Sequence, residues 1–379
     1  MGRRGMKITG RKTTSILVIA AIVIVIVVLS GLVWWNFRSQ RVTALPPADS
    51  DAGGTLASAV AVNLEIPWAL DFLPDGSLVF TERPGRVRLI DVREGLLPEP
   101  LLTMTRVAHR GEGGLLGIAV HPAFAGNQFI YVYHTYEEGG GLLNRVVRFK
   151  MQGRRLVEPE IIIGGIPGAS NHNGGRIKFG PDGRLYITTG DAQVPDSAQD
   201  PDSLSGKILR LNDDGTVPAD NPFPGSPVYS SGHRNPQGLA WDSGGRLWAT
   251  EHGAAATDEL NLIEPGKNYG WPVIRGEETA AGLEAPVIQS GSETWAPSGA
   301  AFAGGSIFFA GLRSQSLFEA VMKDGTVTLR RHLERNFGRI RAVVTGPDTF
   351  LYLLTSNRDG RGVPTADDDQ IIRIDPGKL

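Results

Sequence analysis

The chain has 379 residues, 41% of them hydrophobic and 21% charged, with a formal net charge of −2 and no cysteine. That balance supplies no field for gathering nucleic acid or anionic lipid, and it excludes disulfides, thiolate metal sites and thiol nucleophiles. The 49 glycines and 25 prolines suit many tight turns better than a helical bundle, and all-β architectures can exceed about 250 residues as one domain.

Residues 1–14 form a basic segment with Arg3, Arg4, Lys7, Arg11 and Lys12. From Ser15 to Trp35 the uncharged run SILVIAAIVIVIVVLSGLVWW is long enough for a transmembrane helix, which needs about 20 residues. The basic residues ahead of it outnumber Arg38 and Arg41 behind it. The positive-inside bias therefore predicts a cytoplasmic N-terminus, a single pass through the cell membrane and an extracytoplasmic remainder. A cleaved signal peptide is the alternative, but its apolar region runs to only about 15 residues, and Trp34–Trp35 reads as an interfacial anchor. Residues 36–60 read as a flexible linker, leaving 61–379 as the folded domain.

Beyond residue 60 one pattern repeats, a tight turn followed by a short apolar or aromatic strand. Its six copies are PDGSLVFTE from Pro74, NQFIYVYHT from Asn127, PDGRLYITT from Pro181, SGGRLWATE from Ser243, AGGSIFFAG from Ala303 and PDTFLYLLT from Pro347. Each is followed by a second β-like run: RVRLID, RVVRFK, KILRLN, ELNLIE, SLFEAV and QIIRID. A spacing of about 45–60 residues fits four-stranded propeller blades and is too long for leucine-rich or helical repeats. The expected fold is all-β, a six-bladed β-propeller preceded by one transmembrane helix. A pair of β-sandwiches is the competing architecture.

Propeller sites form at the channel mouth, from loops joining strands of successive blades. Four clusters are candidates. In Ser-Asn-His-Asn-Gly-Gly-Arg, residues 170–176, His172 is flanked by polar residues and glycine, where an imidazole can take a proton; most lone histidines do no such work. Gly-His-Arg-Asn-Pro-Gln-Gly, residues 232–238, is too polar for an ordinary buried turn, although loop hydrogen bonding would explain it equally well. Carbonyls near Gly253 and the acids Asp258 and Glu259 could hold a hard cation such as calcium. Arg339 and Arg341 share a face if extended and suit a carboxylated ligand, although surface strands also carry such pairs.

In chain order, GEGGLLGIAVHP (111–122), SNHNGGRIKFGPDGRLYITTGD (170–191), GKILRLNDDGTVPADNPF (206–223), GHRNPQGLAWD (232–242) and DELNLIEPGKNYGWP (258–272) resemble the soluble quinoprotein glucose dehydrogenase and aldose sugar dehydrogenase family. The resemblance covers roughly residues 60–377. It implies a six-bladed propeller that binds pyrroloquinoline quinone (PQQ) and calcium and oxidises the anomeric hydroxyl of aldoses to a lactone. By position, His172 matches the general base, and Arg234 and Asn235 match residues beside the quinone carbonyls. Gly253 and Ala254 match the calcium-binding carbonyl pair, while Arg313, Arg339 and Arg341 match residues that hold the cofactor carboxylates. On the sugar side, Glu112 stands where the glucose enzyme has glutamine, Asn171 where it has aspartate and Ala192 where it has glutamine. These changes imply a different or broader aldose range.

The implied partners are an aldose, an electron acceptor of unspecified chemistry and the membrane holding the N-terminal helix. Two other functions fit a propeller: a calcium-dependent lactonase, which needs carboxylates converging on the metal, and a non-catalytic module binding a glycan or protein, which has no use for His172 or the paired arginines.

Overall fold

All six repeat copies become the second strand of an antiparallel sheet, in a computed structural model that describes residues 1–2 and 55–379 apart from Asp324. The expected anchor at 15–35 and most of the basic segment and linker lie outside those residues. Among the described residues no helix is long and apolar enough to cross a membrane. The predicted partner runs become the third strands, so both sequence patterns locate the middle of each sheet. The sheets are six in number and, apart from one split outer strand, four-stranded.

Blade 1 runs Pro67–Phe72, Leu78–Glu82 and Arg86–Asp91, with the short outer pieces Gly95–Leu96 and Leu102–Thr103 both paired to the third strand. The innermost strands of blades 2 to 6 are Leu115–Val120, Ile177–Phe179, Pro236–Trp241, Pro297–Ala303 and Ile340–Thr345. They pack in succession around the axis, and the last meets the first. The ring is therefore closed.

Close approach at the axis selects small residues. A Cβ on Gly117 would lie 2.3 Å from the Gly175 carbonyl oxygen, one on Gly238 2.3 Å from that of Ser298, and one on Gly299 2.8 Å from the Ala342 Cα. Five of the six inner strands also shift register near their upper ends, at Pro67/Ala69, Leu115/Ile118, Pro236/Gly238, Pro297/Ala300 and Ile340/Ala342. Such bulges re-aim side chains. Here they fall at Trp68, Gln237, Ser298 and Arg341. Second-strand threonines satisfy backbone groups beside these positions: Thr81 Oγ1 accepts from the Ala69 amide at 3.2 Å, Thr188 Oγ1 accepts from the Arg176 amide at 2.9 Å, and Thr250 Oγ1 donates to the Ser298 carbonyl at 2.6 Å.

The domain boundary moves by a few residues. Residues 57–60, assigned to the linker, belong to the strand Ala57–Ala61, which pairs with Ile371–Ile374 and completes blade 6 from the opposite end of the chain. Its sequence, ASAVA, has none of the aromatic content that marked the other strands; the uncovered edge of Ile371–Ile374 gives it a place. Four registered pairs at about 1 kcal/mol each make this latch worth several degrees of melting temperature. A chain beginning at residue 62 is expected to melt lower by that much and to associate with rising concentration, as read by calorimetry and light scattering. An unchanged melt would show that the ring closes without the latch.

Candidate active site

The loop before the inner strand of blade 3 carries His172 in the left-handed region, φ 61°. Its amide donates to Glu112 Oε2 at 3.2 Å, and its carbonyl accepts from the Ala192 amide at 3.2 Å. A Cβ at residue 190 would meet that carbonyl oxygen at 2.0 Å, so glycine there lets the two loops touch. His172 Nδ1 lies 2.8 Å from Asp191 Oδ1. With the carboxylate accepting from Nδ1, the neutral ring keeps its lone pair on Nε2, the arrangement a proton acceptor requires. Asp191 is buried and held by the Trp271 indole N–H at 2.9 Å and the Gln193 amide at 2.8 Å. The ring itself is partly open, with 19% of the side chain exposed.

The Asn171 substitution therefore does not cost His172 its orienting charge, because Asp191 supplies that charge from the end of the next strand. Asn171 instead accepts from Arg361 Nη2 at 3.1 Å, while Arg361 Nη1 donates to Glu112 Oε1 at 2.7 Å. Burial works against the Glu112 carboxylate, but His252, Arg361 and the His172 amide outweigh it and hold its pKa down at about 2. Glu112 is thus an anion across the ordinary pH range.

Beside this bridge opens a cleft of about 540 Å³ lined by Glu112, His252, Arg313, Arg339, Arg341 and Arg361, among others. Arg339 and Arg341 are buried and share one counterion: Arg339 Nη2 lies 2.8 Å from Asp359 Oδ2 and Arg341 Nη2 4.0 Å from the same oxygen. Burial raises the Asp359 pKa, yet the two arginines prevail and hold it below the usual carboxylate range. Arg313 stands exposed at the rim. Buried Arg83, which donates from Nε to His109 at 3.0 Å, adds another guanidinium within electrostatic reach of Asp359 and Arg339.

The cluster at 232–238 is buried, with His233 and Asn235 fully enclosed. His233 bridges Ser230 Oγ and Glu251 Oε2, each at 2.8 Å, and Glu251 also accepts from the Arg234 amide. This is the loop hydrogen bonding that the sequence left open. It anchors Arg234, whose Nη1 donates to the His252 carbonyl at 3.2 Å and whose guanidinium lies 5.4 Å from the Trp271 ring centroid. Asn235 Oδ1 accepts from the Gly174 amide at 3.0 Å, tying this loop to that of His172.

Arg234, His252, Gly253, Ala254 and Glu259 line a smaller adjoining pocket. Its loop coils tightly: Ala255, Ala256 and Thr257 have φ of 52°, 83° and 54°. A Cβ on Gly253 would sit 2.1 Å from the Thr257 carbonyl oxygen. Asp258 is committed to backbone, accepting from the amides of Gly253 (2.9 Å), Trp295 (2.7 Å) and Ala296 (2.8 Å), so its candidacy as a cation ligand is replaced by a structural role. No group of three or more His, Asp or Glu able to hold a metal occurs among the described residues. Gly253 and Ala254 line this pocket, with Glu251 and Glu259 paired across strands nearby. Burial and the Glu251 charge push the Glu259 pKa up to about 8.

Three buried polar atoms on residues lining these two cavities lack hydrogen-bond partners, His252 Nε2, Arg234 Nε and Arg341 Nε, as does Asn235 Nδ2 next to Arg234. Buried donors are rarely left unpaired. Together with the surplus of guanidinium, they fit an anionic ligand bearing hydrogen-bond acceptors. The structure thus gathers Glu112, Arg313, Arg339 and Arg341 at one cleft, ties His172 and Asn171 to it through Glu112 and Arg361, and places Arg234, Gly253 and Ala254 at its neighbour, with His252 lining both. Sequence reasoning missed Asp191, His252, Asp359 and Arg361. Asp191 and His252 follow second strands, as in TTGD and TEHG, and that position relative to the repeat was the available signal.

A family model described as glucose / sorbosone dehydrogenase matches residues 64–371. The PQQ-bound aldose sugar dehydrogenase of Streptomyces coelicolor is 41% identical, with a TM-score of 0.79 over 87% of this chain and 99% of that one. Aldose sugar dehydrogenase YliI of Escherichia coli is 34% identical over 80% of this chain and 92% of its own. Quinoprotein glucose dehydrogenase B of Acinetobacter calcoaceticus is 34% identical over 58% of this chain and 53% of its own.

Folded Glu259 holds its proton to about pH 8, whereas an unperturbed carboxyl releases it near 4.5. The folded state binds more protons in that window, so Glu259 makes stability fall as pH rises from 4.5 toward 8. Glu259→Gln is expected to flatten this slope and to raise the melting temperature at pH 8 in calcium-free buffer. Parallel pH profiles for wild type and variant would remove the assignment.

Proposed function

The chain belongs to the glucose / sorbosone dehydrogenase family, and we propose from this that it oxidises aldose sugars at the anomeric carbon to lactones, using PQQ and calcium. The observation that carries this reading is a His–Asp dyad hydrogen-bonded to Glu112 at a cleft that Arg313, Arg339, Arg341 and Arg361 also line, where buried His252 Nε2 and Arg341 Nε have no partner. The PQQ-bound relative supports the cofactor class.

Arg313, Arg339 and Arg341 would hold the cofactor carboxylates, Arg234 and Asn235 its carbonyl end, and the Gly253 and Ala254 carbonyls the calcium. When bound, PQQ supplies a two-electron acceptor for hydride, and calcium supplies positive charge beside it. His172 takes the proton of the anomeric hydroxyl at Nε2. Asp191 fixes the ring tautomer and stabilises the imidazolium that results, a division of labour worth about 10²–10⁴ in rate for the base. Glu112 accepts from sugar hydroxyls and Asn171 both accepts and donates, while Arg361 holds the two side chains together. Charge neutralisation between Glu112 and Arg361 suits a neutral sugar. Residues 15–35 anchor the propeller to the cell membrane with the cleft on the extracytoplasmic side.

The direct test loads the full chain with PQQ and calcium and records bleaching of the oxidised cofactor by a panel of aldoses; no bleaching with any of them would refute the reading. His172→Ala is expected to lower kcat at least a hundredfold with cofactor affinity changed less than threefold. Asp191→Asn offers an amide N–H to Nδ1, moves the ring proton to Nε2 and should cost at least tenfold in kcat at unchanged KM. Full activity in either variant would strip that residue of its role.

A further inference from the structure

Arg341 also belongs to a buried polar ring of side chains contributed by several inner strands. Arg176, one residue ahead of the inner strand Ile177–Phe179, reaches into it. Its guanidinium lies 4.2 Å from the Trp68 ring centroid, and that of Arg341 lies 5.7 Å from the same ring. Gln237 ties the two together: its carbonyl accepts from Arg176 Nε at 2.9 Å, and its Oε1 accepts from Arg341 Nη1 at 2.8 Å. Arg176 is 7% exposed and Arg341 4%.

This ring is short of negative charge. The carboxylate nearest to Arg341 is Asp359 at 4.0 Å, whose Oδ2 already accepts from Arg339 Nε at 3.2 Å and Nη2 at 2.8 Å. Arg176 has no carboxylate partner, and both Arg176 Nη2 and Arg341 Nε lack any hydrogen-bond partner. A Cβ on Gly299 would lie 3.2 Å from Arg176 Nη2, so glycine keeps space beside that donor. Burial, and for Arg176 the charge of Arg341, pushes each guanidinium down to about 9, the direction expected of cations held without a counterion. Water can satisfy a donor but cannot cancel a buried charge.

We propose that Arg176 and Arg341 form a buried monoanion site among the inner strands, taking a halide or one carboxylate group. The ligand has two sources, a free inorganic anion or a carboxylate of the bound cofactor. As a halide site it is independent of the dehydrogenase reading, whereas a cofactor carboxylate at Arg341 rests on that reading.

The test uses the full chain without PQQ, in a bulky sulfonate buffer, with bromide added at constant ionic strength. The melting temperature is expected to rise saturably. Crystals soaked in bromide should show an anomalous peak within ~3.5 Å of Arg176 Nη2. Arg176→Met removes an unpaired buried charge, so without halide it should melt no lower than wild type, and it should weaken the bromide response at least tenfold. Arg176→Lys keeps the charge and a weaker saturable response, which covers the case in which the methionine variant does not fold. Repeating the titration with PQQ separates the sources: unchanged bromide affinity identifies a free anion, and competition identifies the cofactor carboxylate. A non-saturating rise, or an equal rise in wild type and Arg176→Met, would overturn the site. No sugar or turnover enters these readouts, so their failure leaves the oxidation test intact.

Discussion

Buried guanidinium in excess of carboxylate dominates the axis of this propeller. Arg83, Arg176, Arg339 and Arg341 are each at least nine-tenths buried, and Asp359 is the acid that Arg339 and Arg341 share. Such a cluster opposes folding unless its charge is used, because a buried cation without a partner retains most of its desolvation penalty. The protein tolerates the surplus by spreading it over the bulged ends of several strands and by stacking two of the cations against Trp68. An anionic ligand then meets donors already aimed and already stripped of water.

The chemistry depends equally on loops from different blades touching. His172 comes from the loop entering blade 3, Asp191 from the turn after that blade's second strand, Trp271 from beyond the third strand of blade 4, and Glu112 from the loop entering blade 2. Positive φ at His172 and the absence of a side chain at residue 190 permit the contact. The left-handed conformation is a local expense that the neighbouring loops hold in place. Closing the ring with the strand Ala57–Ala61 holds blade 6, and with it Arg339 and Arg341, in register with blade 1.

Much of this was readable in the sequence. The six turn-and-strand copies fell on second strands without exception, because aromatic and β-branched runs after tight turns have few other places to go. His172, Arg234, Asn235, Arg339 and Arg341 stood out as polar residues in positions that ordinary turns do not need, while Arg313 came only from the family resemblance. The strand Ala57–Ala61 did not stand out. Its small residues carry little β signal, and its reason for being a strand is an edge more than 300 residues away.

The sequence by itself determined the blade count and the two middle strands of each blade, and it marked candidate residues, since period, turn residues and side-chain type are local properties. Tertiary structure alone decided that Asp191 and not residue 171 orients His172, that Asp258 serves backbone amides, that Arg361 bridges Glu112 and Asn171, and that Arg176 joins Arg341 over Trp68. His172 and Asp191 are 19 residues apart, and Glu112 and Arg361 are 249 apart. No window along the chain contains them, because closing the ring is what brings their loops within hydrogen-bonding distance.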